Sequence, residues 1–124
     1  MNIPFYIVDV FAEKKYAGNQ LAVFLDAEVL STEEMQKIAT EINFAESTFI
    51  TKYNTETKEA DIRIFTPEYE MQFAGHPIIG TSWVLMNKIF GNQPRNITLK
   101  VPIGEIPVNQ SGDLVWLQAA QPQF

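Results

Sequence analysis

The chain contains no cysteine and a single histidine. The first absence excludes disulfides, zinc–thiolate centres, redox CxxC motifs and cysteine nucleophiles together. The second leaves one imidazole among scattered acids, too little for a metal site, and gives Ser47 and Ser82 no evident base to complete a triad. A metal is therefore not expected. Cationic residues are also scarce: 9 Lys and Arg stand against 15 Asp and Glu, for a net charge of −6. That sign is wrong for a phosphate-binding surface, so nucleic acid is not an expected partner. Long hydrophobic runs are missing too. Ile3 to Val10 and Trp83 to Met86 fall far short of the roughly 20 residues that a membrane helix needs, so no membrane partner is expected. The N-terminal MNIPFYIVDVF has no basic segment ahead of its apolar run and no small-residue cleavage site, which makes a cytoplasmic location the expectation.

What is present suits a folded protein. Apolar residues make up 46% and charged residues 19% of 124 positions, the balance of one globular domain spanning 1–124 rather than of a disordered tail. The charge is uneven: residues 26 to 70 hold 11 acids and 4 bases, and the remainder is close to neutral. A solvated acidic face accounts for this.

Hydrophobic spacing divides the chain into short strands and two helices. Residues 3 to 11, IPFYIVDVF, read as a first strand, and Leu21 to Leu25 as a second, buried one paired with it across the turn Ala17-Gly18-Asn19-Gln20. Ser31-Thr32-Glu33-Glu34 is a capping box and starts a helix over 32–42. Met35, Ile38, Ala39 and Ile42 form its apolar stripe, and Glu33, Lys37, Thr40 and Glu41 face outward. Ser47 to Tyr53 and Ala60 to Phe65 read as a hairpin around a wholly polar loop, followed by a short strand near Met71 to Phe73. From Pro77 to Phe90 the sequence PIIGTSWVLMNKIF predicts a second helix, with Pro77 at its first position and Gly91 just past its end. Its narrow polar side predicts burial nearly all round. Asn96 to Val101, Glu105 to Val108 and Leu114 to Leu117 complete about eight strands. The expected fold class is α+β, a curled mixed or antiparallel sheet wrapped around the central helix 77–90, with the amphipathic helix 32–42 on its surface.

Two places could carry chemistry. His76, between Gly75 and Pro77, opens the buried helix, where unpaired amides and the positive end of the macrodipole favour a carboxylate. Gly75 allows close approach to the backbone, and an imidazole adds a proton donor or acceptor. A capping or satisfied core histidine fits the same position. Glu46 lies between an apolar pair and the strand Ser47 to Tyr53. Burial beside Phe44 or Phe49 would favour its neutral form and make it a usable general acid and base, whereas at an open strand edge it would simply be solvated. Gly18-Asn19 reads as an ordinary turn.

Taken in order, Ala17-Gly18-Asn19-Gln20-Leu21-Ala22-Val23, Ala45-Glu46-Ser47-Thr48-Phe49, Ile64-Phe65-Thr66-Pro67 and Phe73-Ala74-Gly75-His76-Pro77 resemble the phenazine-biosynthesis isomerase-like (PhzF-like) family. The last segment is the sharpest of the four. The resemblance implies one lobe of a diaminopimelate-epimerase-like fold, in which two similar lobes each wrap a sheet around a helix and the site lies between them. It further implies cofactor-independent proton transfer on a small carboxylate such as a dihydro-hydroxyanthranilate. Glu46 stands in the place of the family's catalytic acid and base, and Gly75 and His76 match its substrate-binding pair. Cysteine-dependent racemisation, the route of relatives with the same fold, is not expected, because Gly75 occupies the equivalent position. Gln20, Gln72 and Ile78 depart from the family's commoner choices without removing a chemical group.

The family's chain is about twice as long, and its second lobe brings an aspartate and a glycine-rich motif. The segment Gln118 to Phe124 resembles the passage from first lobe to second. The expectation is thus a first (N-terminal) lobe that acts with a second copy in a homodimer, or with a separately encoded second lobe. The alternative is a non-catalytic remnant or small-anion-binding protein of the same fold.

Overall fold

The computed structural model of the chain describes residues 3–10, 19–90, 96–111 and 114–117. They form eight strands: β1 (Phe5–Val10), β2 (Asn19–Phe24), β3 (Glu46–Asn54), β4 (Glu59–Phe65), β5 (Glu70–Met71), β6 (Asn96–Val101), β7 (Gly104–Ser111) and β8 (Leu114–Leu117). Helix α1 spans Thr32–Ile42 and helix α2 spans Gly75–Val84, continued by a π turn at Leu85–Ile89. The strands make one mixed sheet in the order β1-β2-β3-β4-β6-β7-β8, with β5 hung on β4. No helix among the described residues is long and apolar enough to cross a membrane.

Most pairs are antiparallel, but β2 with β3 and β4 with β6 are parallel, and each parallel pair needs a crossover. Helix α1 lies in the first crossover and α2 in the second. Both crossovers step the same way along the sheet, on strands that point in opposite directions. A shared right hand therefore puts the two helices on opposite faces, and the packing agrees. Leu21, Val23, Ile50, Ile62, Ile64 and Leu99 line the concave face with Ile78, Leu85 and Met86 of α2. Ala22, Phe24, Phe49 and Phe65 line the convex face with Met35 and Ala39 of α1. The alternation of these residues along each strand follows the two-residue repeat of the pleat.

On the convex side Phe24 stacks on Phe49 with centroids 4.8 Å apart, and Phe49 meets Phe65 edge-on at 5.4 Å. Helix α1 covers them and is held at both ends. The Ser31 hydroxyl accepts from the Glu34 amide at 3.1 Å and the Glu34 carboxylate from the Ser31 amide at 2.8 Å, and Asn43 closes the helix in the left-handed region at φ 58°. Capping box, stripe and boundaries agree with the sequence reading.

Helix α2 departs from that reading in two ways. It begins at Gly75, so Pro77 is the third residue rather than the first. A proline is tolerated at either place because no first-turn amide has an acceptor inside the helix. It is also not buried all round: Trp83 is 41% exposed, with the Lys88 ammonium 5.9 Å from its ring centroid. Both β1 and β8 touch α2, yet they do not pair with each other, so the sheet does not close around the helix. Gly91 and the turn residues Ala17 and Gly18 lie outside the described residues.

The meander β6–β8 is joined to the rest of the sheet by a short seam. Only Glu59 with Thr98, Ala60 with Leu99 and Asp61 with Lys100 are in register between β4 and β6. An exposed ion pair from Lys100 to Glu59 at 3.1 Å lies across the seam. Gly104 opens β7 at φ 141°, which a side chain would resist, and turns the chain back from β6 after Pro102-Ile103.

Candidate functional site

Glu46 is the first residue of β3, paired in parallel register with Leu21 of β2. Leu21 belongs to the concave cluster, and residues aligned across parallel strands share a face, so Glu46 points to the side that carries α2. It is half-buried. Phe49, three positions on, faces the other way, which rules it out as the apolar wall beside the carboxylate.

The direction of α2 follows from its far end. Phe90 meets the Tyr53 ring at 6.3 Å and has the Lys58 ammonium 5.6 Å from its centroid, so the helix runs toward the β3–β4 hairpin loop. Its N-terminus lies at the opposite end, where Glu46 begins β3 and where β5 pairs with Ile64 and Phe65. Glu46 and the start of α2 thus share one face and one end of the sheet.

That helix start is unusually open. The cap residue, Ala74, makes no side-chain cap hydrogen bond, and no acid lies in the first turn. Pro77 has no N–H, and the Ile78 amide is already bonded to the Ala74 carbonyl at 3.2 Å. By helix geometry the amides with no acceptor inside the helix are those of Gly75 and His76, at the positive end of the macrodipole. An anion is the natural acceptor for such a pair.

Hydroxyls in the two faces divide into paired and unpaired. Ser82 Oγ donates to the Ile78 carbonyl at 2.7 Å and serves α2 itself. Thr48, two positions from Glu46 on the concave face, and Thr81 of α2 are fully buried without a hydrogen-bond partner among the described residues, as is Ser47 on the convex face. No cluster of three or more His, Asp and Glu suited to a metal ion occurs among the described residues.

One network escapes a sequence reading. Arg63 Nε donates to Glu70 Oε2 at 2.8 Å and Nη2 to Oε1 at 2.7 Å, while Nη1 donates to Thr32 Oγ1 at 3.0 Å. The guanidinium thereby joins β4, β5 and the first residue of α1. Its hydrogen bonds to Glu70 hold it above its ordinary pKa. The only signal for it is one cation in the otherwise apolar run Ile62-Arg63-Ile64-Phe65, seven residues before Glu70.

A mixed sheet with a helix on each face, one of them touched by both edge strands, is the architecture of the PhzF and epimerase-like α+β folds. A solved phenazine biosynthesis protein of the PhzF family from Enterococcus faecalis superposes with a TM-score of 0.82 at 32% identity, over 94% of this chain and 44% of that one. The family model described as phenazine biosynthesis-like protein matches residues 8–124, and the chain belongs to that family. It is 37% identical to the trans-2,3-dihydro-3-hydroxyanthranilate isomerase of Pseudomonas aeruginosa over 95% of its own length and 42% of that enzyme's. An uncharacterized isomerase of Pasteurella multocida is 40% identical over 81% of this chain and 34% of its own. The chain therefore spans less than half the length of these relatives.

Proposed function

We propose that these residues form one wall of a PhzF-like isomerase site, in which Glu46 moves a proton on a small carboxylate held by the Gly75 and His76 amides. The observation that carries this reading is the shared location: Glu46 on the concave face, at the same end of the sheet as a helix terminus whose cap residue offers no side-chain hydrogen bond. A carboxylate bound there would be fixed by the amides and the helix dipole, which orients the neighbouring carbon toward Glu46. Glu46 could then take a proton from one ring position and return it to another, a net isomerisation with no redox change. Neither step calls on a metal or a cofactor.

One wall does not enclose a substrate. The relatives are more than twice as long as this chain, and the opposite wall would come from a first-to-second-lobe pairing, either with a separately encoded lobe or with a second copy. Two copies meeting about a two-fold axis would supply two Glu46 and two helix termini to one cleft. The uncapped helix terminus taken alone suits a second reading, a small-anion-binding protein of this fold without turnover.

The test is to incubate the 124-residue chain with trans-2,3-dihydro-3-hydroxyanthranilate in D2O and follow deuterium incorporation by NMR, with light scattering on the same sample. Deuterium entering the ring supports the isomerase reading. Saturable carboxylate binding with no incorporation supports the anion-binding alternative, and absence of binding removes both. A monomer by light scattering removes the homodimer.

A further inference from the structure

The open terminus of α2 is useful only if it stays in place relative to Glu46, and little main-chain structure holds it there. Strand β5, which delivers it, is two residues long and contributes two register pairs, Ile64 with Met71 and Phe65 with Glu70. Gln72, Phe73 and Ala74 alone separate it from Gly75, so a slip of β5 passes to the helix start within a reach of about 3.5 Å per residue.

Side chains supply what the ladder lacks, and all of them come from the convex side. Arg63 grips Glu70 of β5 with a two-pronged fork, at 2.8 and 2.7 Å, and ties it to Thr32 of α1. Gln36 Nε2 donates to the Thr66 carbonyl at 3.0 Å, and Thr40 Oγ1 donates to the Pro67 carbonyl, so α1 also holds the turn before β5. Within that turn the Thr66 hydroxyl accepts from the Glu68 and Tyr69 amides at 3.1 and 3.0 Å.

An ion pair with side chains 31% and 25% exposed can be exchanged for apolar residues of similar size with little net change in stability. What it adds is direction, because a guanidinium fork fixes a carboxylate at a set distance and angle that an ammonium cannot reproduce. We propose that Arg63 and Glu70 are positioning residues, which act through β5 to hold the Gly75 and His76 amides opposite Glu46. The inference rests on the site reading above, and it assigns to the convex face a role in the geometry of the concave one.

The experiment uses the 124-residue chain, the double variant Arg63→Met with Glu70→Leu, and the single variant Arg63→Lys. The double variant replaces the pair by apolar residues and keeps the fold; Arg63→Lys keeps the charge without the fork and serves if the double variant does not fold. Two quantities are read in each: hydrogen exchange of the Ile78 amide against amides of the β6–β7 ladder, and the affinity for benzoate from the shifts of the Gly75 and His76 amides. The expected result is an unchanged melting temperature, Ile78 exchange faster by about tenfold, unchanged exchange in β6–β7, and benzoate binding weaker by at least about fivefold. Exchange and affinity equal to the parent overturn the proposal. If benzoate moves no amide even in the parent, the anion site is wrong, and the exchange comparison alone still decides whether the pair holds the helix start.

Discussion

The two helices solve the same problem at their first turns in opposite ways. Helix α1 begins with Ser31 and Glu34 satisfying each other's amides, Glu33 and Glu34 placed against the positive end of the dipole, and Thr32 engaged by Arg63. Helix α2 begins with Ala74, Gly75 and His76, no capping side chain and no acid. The first end is closed, and its donors contribute to stability. The second has no capping side chain and lies at the end of the sheet that carries Glu46. The chain thus builds a complete capping box on its convex side and none on the side that carries Glu46.

That division is open to attack on both sides. The largest effect is expected at Glu46: in an assembly that turns substrate over, Glu46→Gln should lower the isomerisation rate at least 100-fold, roughly the worth of a positioned acid and base. Thermal unfolding should be unaltered, since the substitution keeps shape at a half-buried position. Full activity in that variant would remove Glu46 from the chemistry. On the convex side Phe49→Ala should cost about 3–5 kcal/mol in urea unfolding, because it empties the centre of the Phe24–Phe49–Phe65 stack. A cost below about 1 kcal/mol would mean that the convex cluster does not carry the fold.

Ser31→Ala is smaller, about 1 kcal/mol of stability, with carboxylate binding untouched. If benzoate affinity changed with it, the closed and open ends would not be independent. The smallest effect is expected at Thr81→Val, where a buried, unpartnered hydroxyl becomes a methyl group. Its removal should be neutral or raise stability by up to about 1 kcal/mol. A clear loss on calorimetry would show that the hydroxyl is satisfied in solution.

What the sequence disclosed follows from how local each signal is. The box at Ser31 and Glu34 and the stripe Met35, Ile38, Ala39, Ile42 lie within one helix, and both are found as expected. The hairpin of β3 and β4 is equally local, closed by Asn54 Oδ1 accepting from the Glu56 and Thr57 amides. The start of α2 was displaced because proline marks a first turn rather than one position in it. Trp83 was misjudged because an apolar helix carries no record of where its surrounding sheet stops. For the site, Glu46, Gly75 and His76 stood out through a resemblance to a family. Their placement on one face needed the parallel pairing of Leu21 with Glu46, which joins segments 25 residues apart in sequence. The clamp of Arg63, Glu70 and Thr32 joins three elements, so no single stretch of sequence contained it.

The three-rung seam between β4 and β6 has a consequence for how the molecule yields. Five strands on one side and three on the other are two leaves, and the spindle that both touch is α2, which contacts β1, β2 and β3 of one leaf and β6 and β8 of the other. The leaf β6–β8 is held there by three rungs and one exposed ion pair, and otherwise by Ile97, Leu99, Val101, Ile106 and Val108 buried in the core it shares with α2, so its loosening is expected to be cooperative. Peeling that leaf bares the flank of α2 while leaving Glu46, β5 and the Arg63 clamp intact on the other leaf. Glu46, β5 and the Arg63 clamp therefore all lie on the five-strand leaf, so a loosening of the seam leaves their mutual arrangement unchanged.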